Sequence, residues 1–230
     1  PGVVHQRVDP GERAQPLARF VAARLALARR QPRTALGDLR ILIESGRDGY
    51  EVRLLQARAA LALRNARLAR EALEAAARID AGRPEAWDGL YELAGRLNEP
   101  TLRQRALRAY VDIDQHHSAR NFELMQALAE QGDWDGVREY GLRAVYVDPL
   151  NPEARRLYAE ALVRAGDGRE ALAQADLALA AEPEQPGPAH LTRARALVAL
   201  RRAREARAAA DAAVQADPSL ADAAREVLAR

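Results

Sequence analysis

Apolar and small residues recur along this chain three and four places apart, in short runs separated by polar breakers. The stretch NPEARRLYAEALVRAGDGREALAQADLALAAEP, Asn151 to Pro183, shows this most clearly. Its two runs are interrupted once, at Gly166-Asp167-Gly168, and closed by Glu182-Pro183. Such periodicity predicts two short helices joined by a tight turn. Asn151 is suited to cap the first, and Pro152 sits in the first helical turn, where a missing N–H removes no bond.

The same layout runs through the chain. Helical sequence is expected from near Ala14 to Arg29 and over Pro32–Glu44, then over Glu51–Leu63 and Ala66–Ile79. Further pairs follow over Pro84–Leu97 with Thr101–Ile113, and Ser118–Gln131 with Trp134–Val147. The opening stretch comes next, then a sixth unit from Gly187 to Pro218. Pro1, Gly2, Pro10 and Gly11 mark residues 1–15 as an irregular lead-in, and the chain reads as a fragment or processed product of something longer. At the other end Ser219 is expected to cap a last helix, 221–230, that finishes the array.

An acidic residue near each unit's end makes the period measurable. Asp80, Asp114, Asp148 and Glu182 lie 34 apart, and Asp217 follows 35 later. Small residues recur with it: Ala57, Ala69 and Ala76, then Ala159, Ala171 and Ala178, then Ala194, Ala206 and Ala213. Pro149, Pro183 and Pro218 end units. A helix pair repeating every 34 residues with this constellation resembles the tetratricopeptide-repeat (TPR) family. Six units result, 16–49, 50–83, 84–117, 118–151, 152–186 and 187–220. The third departs, with Tyr91, Arg103 and Tyr110 at the small positions. A one-residue slip in its second helix would bring Leu102, Ala106 and Ala109 into place.

The resemblance implies an all-α, right-handed superhelical solenoid of antiparallel helix pairs whose first helices line a concave groove. It implies a non-catalytic scaffold binding a protein or peptide partner. Carrying over the family's groove positions selects Leu17, Phe20 and Arg24 in unit one, and Leu54 and Arg58 in unit two. Asp88 and Glu92 follow in unit three, Phe122 and Gln126 in unit four, Arg156 and Glu160 in unit five, and Arg195 in unit six. A groove apolar at one end and acidic in the middle suits an extended peptide or an amphipathic helix. Arg24 with Arg58 stands out as the pair to test first. The Lys and Asn with which the chaperone-tail-binding branch clamps a carboxylate are missing at these places. The apolar Leu17-Phe20-Leu27 face also fits packing by an upstream segment or a second copy, because end repeats normally present polar faces.

Composition narrows the chemistry. Aromatics make up 4% of the chain, which suits close-packed helices better than β-sandwiches. All basic residues are arginine, a bias suggesting a bacterial source, and 35 of them against 33 acids leave a net charge of +2. That balance gives no polycationic face for nucleic acid. There are no cysteines, hence no thiol chemistry or cysteine-bound zinc, and no apolar run long enough to span a bilayer. A soluble protein of cytoplasm or periplasm is expected. His116-His117 with Asp112 and Asp114 is the one metal-like cluster, but the neighbouring histidines diverge and read as a solvated turn. Ser45, Ser118 and Ser219 fall at unit boundaries, as helix caps do. No active site, cofactor site or metal site is expected. Two alternatives remain open: the accessory domain of a larger bacterial enzyme, such as a protease or transferase, whose catalytic part precedes Pro1, and a self-assembling component of an envelope or secretion complex.

Overall fold

A computed structural model describes the backbone of residues 10–229, with side chains from Gln15. Thirteen α-helices are described, and no strand. They run α1 (Pro10–Ala28), α2 (Pro32–Glu44), α3 (Tyr50–Ala62), α4 (Ala66–Ile79), α5 (Pro84–Leu97) and α6 (Pro100–Ile113). Then follow α7 (Ser118–Glu130), α8 (Trp134–Val147), α9 (Pro152–Arg164), α10 (Gly168–Ala180), α11 (Gly187–Ala199), α12 (Ala203–Ala216) and α13 (Ala221–Leu228). The odd helices α3 to α11 begin at the residues expected to open units two to six. Helix α1 differs: it begins at Pro10, so the end of the segment expected to be irregular is helical, whereas residues 1–9 lie outside the described residues. Proline at a helix start sacrifices no intrahelical bond.

The chain divides into two bodies, one ending at Ile113 and one starting at Asp114. Within each, consecutive helices pack as neighbours, and first helices meet first helices: α1 with α3, and α7 with α9, α9 with α11 and α11 with α13. Close approach rests on small buried residues. Ala57, Ala69 and Ala76 are at most 1% exposed, and Ala159, Ala171, Ala178, Ala194, Ala206 and Ala213 are fully buried.

The third unit keeps this register, and the slip does not occur. Helix α6 buries Ala106, Leu107, Tyr110 and Val111, in step with Ala72, Leu73, Ala76 and Ala77 of α4. Leu102 and Ala109 are only partly buried. The large residues accommodate each other instead: the Arg103 guanidinium lies 4.6 Å over the Tyr91 ring and donates to its hydroxyl.

Turns repeat as closely as helices. Arg30, Arg64, Asn98, Gly132, Gly166 and Arg201, one after each first helix, all have φ between 54° and 83°. Side chains of Asn65, Asp133, Asn151 and Asp167 cap the helices that follow them. Of the serines expected as caps, Ser45 serves as one and Ser118 and Ser219 do not. Ser45 Oγ donates to the Leu42 carbonyl at a helix C-terminus. His117, not Ser118, caps α7. Asp217 caps a 3-10 turn over Pro218–Leu220 and accepts from Ser219 N and Oγ. A carboxylate is the stronger acceptor for orphan N–H groups, so it displaces the hydroxyl.

Donors at the fourth place of a unit bind the preceding turn. Trp87 Nε1 donates to Ala81 O (3.1 Å), Asn121 Nδ2 to Gln115 O (3.0 Å) and Arg155 Nε to Pro149 O (2.6 Å), each six residues back. Three side-chain types thus satisfy one class of turn carbonyl.

Two glycines separate packing from helix propensity. A Cβ on Gly141 would meet the Tyr158 ring at 2.5 Å, whereas one on Gly37 would meet nothing within 4 Å. Alanine favours a helix interior over glycine by about 1 kcal/mol, and overpacking costs about 1–3 kcal/mol. Gly37→Ala should therefore raise stability in urea titrations followed by circular dichroism, and Gly141→Ala should lower it. Equal shifts of one sign would show that Tyr158 yields freely.

Candidate functional site

In the first body, the starts of α3 and α5 are tied by one cluster. The Tyr50 hydroxyl donates to Glu85 Oε2 (3.0 Å) and accepts from the Ala86 N–H (3.1 Å). Arg83 bridges Glu51 (2.7 Å) and Glu85 (3.1 Å) while its guanidinium lies 3.9 Å over the Tyr50 ring. Burial, reinforced by the bond to Glu85, pushes the Tyr50 phenol up to about 12. Glu85 is held below the usual carboxylate range, first by its own backbone N–H at the start of α5 and then by Arg83. These groups are occupied with one another and lock two units together.

The second body differs. Helices α9, α11 and α13 line a cleft of about 410 Å³ with Val163, Val198, Ala199, Ala223 and Val227 as apolar surface and Glu160, Arg164, Arg195 and Glu226 as polar groups. Glu160 is only 3% exposed. Arg195 Nη1 donates to its Oε2 (2.8 Å), Arg164 Nη2 approaches its Oε1 (3.3 Å), and the Thr192 hydroxyl lies 3.5 Å from Oε2. Arg164 also stacks over the Trp134 ring at 4.3 Å. Leaving such a carboxylate without partners would cost several kcal/mol, so both guanidinium groups are pinned at one end. Each has five donors; Arg195 spends one on Glu160 and Arg164 is held there as an ion pair, so donors remain for a ligand. The lining includes no Ser, Cys or His.

The expected groove residues divide into three groups. Glu160 and Arg195 are brought into direct contact. Leu54 is 6% exposed and belongs to the core, and half-buried Phe20 packs against the cluster around Ala23 and Leu39. The others stay nearer the surface. Leu17 is 65% exposed, Arg24, Arg58 and Gln126 are exposed, and Phe122 is half-buried. Half-buried Asp88 and exposed Glu92 are engaged by neighbours, and Arg156 is bound to Glu153 (2.8 Å). Arg24 and Arg58 have no ion-pair or hydrogen-bond partner among the described residues. Sequence reasoning missed Arg164, although its place four residues after Glu160 on one helix was a usable signal. It also missed the wall that α13 supplies. His117 Nδ1 accepts from Arg120 N, and among the described residues no group of three or more His, Cys, Asp or Glu is arranged to hold a metal.

Among solved structures, the chain is similar to MamA protein at 13% identity, over 75% of this chain and 94% of that one, with a TM-score of 0.53. It is similar to YrrB, a TPR protein with an unusual peptide-binding site, at 17% identity over 83% and 95%, with a TM-score of 0.51. The chain has the tetratricopeptide-repeat fold. No protein-family model and no curated protein matches the sequence. In TPR terms, the cleft lies on the first-helix row of units five and six, closed by the helix that follows the last unit.

The Tyr50 linkage has a pH signature. The folded state holds the phenolic proton more tightly than the unfolded chain, whose tyrosine titrates near 10. Its contribution is full below pH 10 and is lost as pH rises from about 10 to about 12. In urea titrations across that window, the advantage of the natural protein over Tyr50→Phe should shrink by roughly 2 kcal/mol. A constant difference would show the phenol to be unperturbed.

Proposed function

We propose that this TPR protein is a non-catalytic interaction scaffold that takes a peptide or helical segment of a partner in the cleft formed by α9, α11 and α13. The observation that carries this reading is the cleft itself, with apolar valines beside two arginines fixed by a buried carboxylate. Fixing both guanidinium groups before a ligand arrives lowers the entropy cost of binding. The same fold accommodates a peptide-binding site in YrrB. Apolar anchors of the segment would lie against Val163, Val198 and Val227, and its carbonyl or carboxylate oxygens would meet Arg164 and Arg195.

Peptides selected from a phage-displayed library test this. Their affinity should fall about tenfold or more in Val198→Glu, and stay unchanged in Arg24→Glu/Arg58→Glu. The reverse pattern would move the site to the N-terminal units, and indifference to both would end the groove reading.

A second reading is self-association through α1, favoured by the outward Leu17, Val21 and Leu25, which are 65%, 46% and 50% exposed. Light scattering over a concentration series should then show a dimer that Leu17→Asp/Leu25→Asp dissolves and Tyr146→Asp, on the exposed face of α8, does not. A strict monomer would remove it.

A further inference from the structure

The first body carries a groove of its own, lined by residues of α4, α5 and α6. It runs between α4 and α6 over α5. One end, about 530 Å³, is lined by Arg70, Glu74, Arg105 and the turn from Asn98 to Leu102. The other, about 320 Å³, has Trp87 and Leu90 as its floor and Glu74, Arg78 and Arg105 as its walls. Glu74 and Arg105 line both ends, which adjoin across that pair.

Its charges are unequally matched. Arg70 is paired with Glu99, which balances the first end. At the tryptophan end, Arg105 reaches Glu74 only at 3.8 Å, and exposed Arg78 has no partner among the described residues. Two guanidinium groups therefore face one carboxylate beside an indole. The Trp87 N–H is already spent on Ala81 O, so the ring presents apolar surface with no free donor. Arginine donors take a carboxylate in paired bonds, and an exposed pair at 3.8 Å is cheap to exchange for a better one.

We propose that this groove docks an acidic segment of a partner protein, with an apolar or aromatic side chain against Trp87 and a neighbouring carboxylate between Arg78 and Arg105. The surplus positive charge selects the acid, and the indole floor selects the side chain beside it. This surface is separate from the cleft of the second body, and one can fail without the other.

The chain has two tryptophans, so Trp134→Phe leaves Trp87 as the sole emitter. That protein is titrated with the amidated peptide acetyl-Gly-Asp-Glu-Phe-Glu-Asp-Gly. A saturable change in Trp87 emission is expected, weakened about tenfold or more by adding Arg78→Glu. Arg78 has no partner to lose, and circular dichroism melts should confirm that the fold is kept. The peptide with lysine at its four acidic places should give no response, and Val198→Glu should leave the titration unchanged. Emission that stays flat to millimolar peptide would overturn the proposal. So would an equal response to the lysine peptide, insensitivity to Arg78→Glu, or saturation by a single-stranded thymidine oligonucleotide in preference to the acidic peptide.

Discussion

The structure depends on how closely paired helices can approach. At the crossing points the chain places alanine, and Ala57, Ala69, Ala171 and Ala178 bury their methyl groups with 0–1% exposure. Alanine loses no side-chain entropy on burial and favours the helix, so the contact that sets the spacing also forms at low cost. A single pair leaves one apolar face of each helix uncovered. Neighbouring pairs cover it, and the fold therefore propagates by nearest-neighbour contacts. Where the small residues are lost, at Tyr91 and Arg103, the register survives because a ring and a guanidinium fill the crossing with an attractive contact of their own.

In three units a side chain also ties the helix pair to the turn before it. The side chains of Trp87, Asn121 and Arg155 do this at equivalent places through one donor geometry and three chemistries. His190 occupies the same place in the sixth unit and departs from the pattern: its Nδ1 is buried without a partner, and burial, with Arg193 nearby, lowers its proton affinity. Most ion pairs elsewhere are partly exposed and worth little each. Glu160 is the exception, because its burial makes Arg164 and Arg195 obligatory companions.

The candidate site was partly legible. The groove positions carried over from the family share one face of each first helix, and two of them, Glu160 and Arg195, line one cleft. The same rule overreached at Leu54, which is 6% exposed. Whether a residue on that face meets solvent or a neighbouring helix depends on how far the next pair leans over it, and no spacing within one helix records that. Partners drawn from other elements, such as Trp134 beneath Arg164 and Val227 of α13, were hidden for the same reason.

By itself the sequence determined the helix pairs, their 34-residue period and the frame of small residues, because these follow from propensity, capping and periodicity over a few neighbours. It did not reveal that arginine would hold the left-handed turn position at Arg30, Arg64 and Arg201, whereas Asn98, Gly132 and Gly166 carry a local signal at the equivalent turns. Tertiary structure alone decided which charged groups are spent on one another and which face open space. That division separates Arg83, committed to Glu51 and Glu85, from Arg78, which has no partner among the described residues. Both are arginines near the junction of α4 and α5. The difference is distance to a carboxylate on another helix, which only the packed chain sets.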